Sequence, residues 1–188
     1  MVSNPPSDSQ ASVVDVVDSA YIGADDEARR ALMMRYLAHE DVVTVTLLTG
    51  GGAAVIAGYA RATGWAMKAR GGPGTPFQEG NYGAYECRGV TANMFTAGLS
   101  AGLSGTVEIG EWNAGFEALE GKSHGVQAMI SVVAAGWGKG AHFGRDGGAS
   151  GATLINGGAA GAELSPLEYV HTWTTVADEA TDCAEIDW

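Results

Sequence analysis

Large and small side chains alternate along much of this chain, and that period constrains the fold more than any other feature. From Ala53 to Ala69 the larger residues Val55, Tyr59, Arg61, Trp65 and Met67 stand at odd positions. The even positions between them are mostly Ala or Gly. From Phe95 to Thr106 the apolar residues Phe95, Leu99 and Leu103 share one parity, which Val107 and Ile109 continue, and Gly, Ser and Thr hold the other. A period of two belongs to strands, whose successive side chains point to opposite faces. Val43 to Leu48, Tyr82 to Arg88, Val126 to Ala135, Ala152 to Ile155 and Tyr169 to Val176 extend the strand signal.

Glycine accounts for 29 of the 188 residues. It weakens a strand through entropy and lost packing, so its abundance inside strand patterns needs a reason. Tight curvature, bulges or the close approach of a second layer supply one. The runs Gly50–Gly52, 71–76, 121–125 and 136–161 read as turns or loops. A change of parity beyond Gly110, where Trp112, Ala114 and Phe116 take even positions, predicts a bulge or turn there.

One segment breaks the pattern. Asp25 or Asp26 caps a helix predicted over 25–39, with Leu32, Met33, Tyr36 and Leu37 as its apolar side and His39 at its far end. One helix followed by short strands and glycine turns predicts a mainly β chain, an antiparallel β-sandwich or β-barrel. The expected organisation is an N-terminal arm over 1–20, one domain over 21–176 and an acidic C-terminal tail over 177–188.

Composition excludes several roles. The net charge is -12, and no basic cluster exceeds the pair Arg29–Arg30. Nucleic-acid binding needs several cations to displace counterions from phosphates, so it is not expected. The hydrophobic fraction is 46%, enough for a core. No basic segment followed by an apolar stretch marks a signal peptide near the N-terminus. The uncharged or nearly uncharged windows 42–60 and 89–107 have the length of a spanning helix, but glycine interrupts both. A soluble protein or a part of an extracellular or viral assembly is the expected setting. Cys87 and Cys183 lie far apart in sequence, and spacing alone leaves their pairing open.

Catalytic motifs are scarce. Thr49–Ile56 has the glycine-rich look of a dinucleotide loop, but Ala54 and Ile56 stand where glycines are needed and no Tyr-x-x-x-Lys follows. No cofactor and no metal site are expected, because no paired His or Cys spacing suits a metal. A dispersed enzyme site would draw first on His142, Asp146 and His171. Trp65, Trp112, Trp137 and Trp173 lie on separate strand candidates and are the ligand or interface candidates, since Trp is enriched at interfaces. The leading expectation is a non-enzymatic structural, assembly or interaction protein that associates with itself or with other subunits. The alternative is a β-barrel that contacts membranes or small apolar ligands in the manner of toxins and virulence factors, as the alternation after Phe95 suggests.

Overall fold

The computed structural model describes residues 25–78, 80–132, 135–144, 150–157 and 162–186. The chain begins there with helix α1 (Asp26–Leu37). The Asp25 carboxylate accepts from the Ala28 backbone N–H at 2.8 Å, and Asp26 and Glu27 complement the positive helix end. Two long strands follow, β1 (Thr44–Ala69) and β2 (Tyr85–Trp112). A single turn of helix, α2 (Phe116–Leu119), precedes β3 (Gly121–Val132), β4 (Ala135–Gly144), β5 (Ser150–Gly157) and β6 (Ala162–Val176).

All pairings are antiparallel and run in the order β1-β2-β5-β4-β3-β6, with β6 returning to β2. The sheet is therefore curled into a half-barrel. One edge of β2 carries β1 along its whole length. Its other pairings are divided, with Val90–Gly98 on β6 and Thr106–Trp112 on β5. The mainly β antiparallel class with one leading helix is thus the class this chain adopts.

The alternation has a specific use in β1. Its described even positions are buried or half-buried, whereas the odd positions are exposed at 49–53 and 57–63 and buried towards both ends. A Cβ on Gly52 would lie 2.5 Å from the Ala60 Cβ, and one on Gly50 would lie 2.5 Å from the Ala62 Cα. A Cβ on Gly64 would strike the Leu47 carbonyl oxygen. These contacts are symmetric about position 56, where the β1–β2 register shifts between Val55 and Ala57. The strand bends there and lays its two halves face to face. Ordinary stacked sheets stand about 10 Å apart. Only a Gly/Ala face allows main chains to approach this closely.

This corrects the expected turn at Gly50–Gly52, which is strand, paired with Ser104–Thr106. The segments 121–125 and 136–144 are likewise strand rather than loop. The parity change near Gly110 is not a bulge either: Gly110 stays in register opposite Thr46. Its missing side chain leaves room for the Trp112 indole, whose Nε1–H donates to Thr46 Oγ1 at 3.0 Å above it. Local glycine content misled because an isolated Gly–Gly pair signals a turn unless a second layer approaches it. The loop 70–84 does carry turn glycines, with positive φ at Gly72, Gly74 and Gly80.

Two cores result. On the convex face, Leu32, Met33, Met34 and Leu37 of α1 cover Val45, Leu47, Met67, Tyr85 and Ile109. Cys183 and Ile186 complete this cluster. Inside the curl, Phe116 and Leu119 of α2 meet Leu48, Ala62, Ala66, Val90, Met94 and Val170. Lys68 and Arg88 approach the Phe116 ring at 5.1 Å and 5.0 Å.

The segment after β6 is tied to the first core. Cys87 and Cys183 form a disulfide across 96 residues of sequence. Thr181 N–H donates to the Cys87 carbonyl, and Arg30 donates to the Ala184 carbonyl. Asp178, Glu179, Asp182 and Glu185 remain exposed while Cys183 and Ile186 are buried.

Two predictions follow from these contacts. Gly64→Ala should destabilise the protein by about 1–3 kcal/mol, because a backbone layer must move to admit one methyl group. The paired change Cys87→Ser with Cys183→Ser should lower the unfolding free energy by roughly 2–5 kcal/mol, since the bridge closes a long loop in the unfolded chain. Urea unfolding monitored by far-UV circular dichroism checks both.

Candidate interaction face

The exposed part of the convex face carries most of the exposed large apolar side chains among the described residues. Register places Tyr59 of β1 opposite Phe95 of β2, Phe95 opposite His171 of β6, His171 opposite His124 of β3, and His124 opposite Phe143 of β4. One row thus crosses five strands. The row on one side is Arg61, Asn93, Trp173 and Lys122. The row on the other side is Ala57, Ala97, Tyr169, Val126 and Ala141. At about 4.8 Å per strand, the central row is about 19 Å wide.

These side chains support one another without being covered. Tyr59 and Phe95 meet with ring centroids 5.2 Å apart, and Tyr59 Oη–H donates to Asn93 Oδ1 at 2.8 Å. Tyr169 meets His171 edge-on at 5.2 Å and lies nearly parallel to His124 at 6.4 Å. His124 also lies 6.2 Å from Phe143. Lys122 Nζ sits 4.5 Å from the Trp173 ring centroid, a cation–π contact. Phe95 and Trp173 each remain 54% exposed, so the rings face solvent rather than a core.

The opposite face has different electrostatics. Inside the curl, Glu108 and Glu168 are buried. Gln127 Nε2–H donates to Glu168 Oε2 at 3.0 Å, while Oε1 has no partner among the described residues. A cavity there is lined by Thr46, Leu48, Met94, Glu108, Leu119, Ser123, Thr172 and others. Its volume is about 30 Å³, room for roughly two waters. The Thr172 hydroxyl, on this lining, has no hydrogen-bond partner among the described residues. Elsewhere, His39 Nδ1–H donates to Glu111 Oε1 at 2.7 Å beside Tyr36. Burial, and after it the Glu111 charge, push the Tyr36 phenol up to about 12.

The four tryptophans separate by environment. Trp65 packs against the first core and Trp112 against the second. Trp173 lies on the open face. Trp137 pairs by backbone with Ile130 and Asn156, and its side chain lies outside the described residues. His171 belongs to the aromatic row. His142 pairs by backbone with Gly125, and its side chain lies outside the described residues. Asp146 lies outside the described residues. Among the described residues no three His, Cys, Asp or Glu side chains gather as a metal site. No described helix is long and apolar enough to cross a membrane.

Sequence reasoning missed Tyr59, Phe95, His124, Phe143 and Tyr169 as a surface. The alternation of Tyr169, His171 and Trp173 was a usable signal for one strand, but register alone joins it to the other four. Comparison with protein-family models, with curated proteins and with solved structures finds no match.

Thr172→Val should leave stability unchanged or raise it by up to about 1 kcal/mol, because it replaces an unpaired buried hydroxyl with a methyl of similar shape. Thermal unfolding of the purified variant measures this.

Proposed function

We propose that this chain is a non-enzymatic interaction protein that works by presenting its convex aromatic face to a partner. The observation that carries this reading is the alignment of Tyr59, Phe95, Phe143, Tyr169 and Trp173 on one exposed surface. Scattered exposed apolar residues are ordinary, whereas a contiguous patch of this kind marks an interaction site. Aromatic rings suit such a role because they bring large contact area with few rotatable bonds. The disulfide between buried cysteines is of the kind that persists in oxidising compartments, which supports an extracellular or surface setting.

The paired change Phe95→Ser with Tyr169→Ser separates function from folding. The unfolding free energy should move by less than about 1 kcal/mol, as for exposed positions. Retention on a phenyl matrix should fall clearly. A loss above about 2 kcal/mol with unchanged retention would show that these rings hold the fold, and would sink the reading.

A further inference from the structure

Resting on that reading, we propose that the partner of the convex face is the surface of an anionic phospholipid bilayer. The argument is charge placement. The chain carries a net charge of -12, yet the three rows that cross the face contain no Asp or Glu among the described residues. They contain Arg61 and Lys122, at the two ends of the row that holds Trp173, with His171 and His124 in the next row. Of the carboxylates on β2 and β6, Glu108 and Glu168 are buried on the other side, and the exposed Glu120 borders the face just before β3. An acidic protein meets less repulsion from an anionic surface when it turns a cationic, aromatic face to it than when it presents its carboxylates.

The side-chain types agree with that orientation. Trp and Tyr concentrate at membrane–water boundaries, where an apolar ring and a polar edge are both satisfied. Tyr59, Tyr169 and Trp173 present such rings, and Phe95 and Val126 add purely apolar surface, all of it exposed. A second copy meeting the same face by two-fold symmetry is the weaker fit. It would set Arg61 and Lys122 against a surface that offers no carboxylate.

The test is co-sedimentation of the full chain with phosphatidylcholine vesicles and with mixed phosphatidylcholine–phosphatidylglycerol vesicles, at low and at high salt. The protein should partition onto the mixed vesicles in preference, and salt should weaken the binding. Each cation near the surface is worth about a five-fold change in partitioning, so Arg61→Gln with Lys122→Gln should lose about 25-fold. The charge-preserving pair Arg61→Lys with Lys122→Arg should retain binding, which separates charge from any folding defect. Trp173→Ser with Tyr169→Ser should weaken binding to the mixed vesicles.

Equal binding to both vesicle types, or an unaffected Arg61/Lys122 glutamine variant, overturns the lipid proposal. Light scattering without lipid distinguishes the two levels. If vesicles do not bind but the protein is an oligomer that the Trp173/Tyr169 variant returns to monomer, the interaction face stands and its partner is a second copy. If vesicles do not bind and the protein and variant are both monomeric, the lipid proposal and the interaction reading fail together.

Discussion

The close approach of the two halves of β1 is the constraint on which the rest of the structure depends. Gly50, Gly52 and Gly64 bring main chain against main chain at the bend, with Ala60 and Ala62 as the facing surface. With no large side chain between the layers, dispersion contact is short and dense, and there is little volume for ordinary inter-sheet packing. The larger side chains must therefore go elsewhere. Phe116 and Leu119 fill the wider part of the curl, and α1 covers the ends of the convex face.

That division leaves the middle of the convex face without cover. The odd positions of β1 are buried at Val45 and Leu47, exposed from Ala57 to Thr63, and buried again at Met67 and Ala69. One strand face thus serves first as core, then as surface, then as core. The helix spans 12 residues, about 18 Å, so it shields only part of a sheet whose longest strands have 26 and 28 residues. The aromatic rows on β2, β6, β3 and β4 continue the uncovered part.

The disulfide and the terminal segment reinforce the covered end. Cys87 lies in the same cluster as Met33 and Tyr85, and Cys183 brings Ile186 into it. Arg30 binds the carbonyls of this segment from the helix side. The end of the sheet away from the aromatic face is thereby fastened covalently, by hydrogen bonds and by apolar contact. A rigid support of this kind keeps an exposed surface in one shape, which lowers the entropy lost when a partner binds.

By itself the sequence determined the strand period, the helix with its Asp25 cap, and the use of small residues for close layers, because each depends on residue type at local spacing. It also determined that no run of cations longer than Arg29–Arg30 occurs along the chain, since charge there is counted locally. Tertiary structure alone decided that Gly50–Gly52 lies within a strand, because the layer that demands those glycines comes from residues 59–62. It decided the pairing of Cys87 with Cys183, which requires two distant segments to meet. It also decided which aromatic residues became surface. Trp65 and Trp173 both stand in strands of alternating pattern, yet the first packs against a core cluster and the second is exposed, because α1 covers the convex face near the ends of β1 and leaves its middle open.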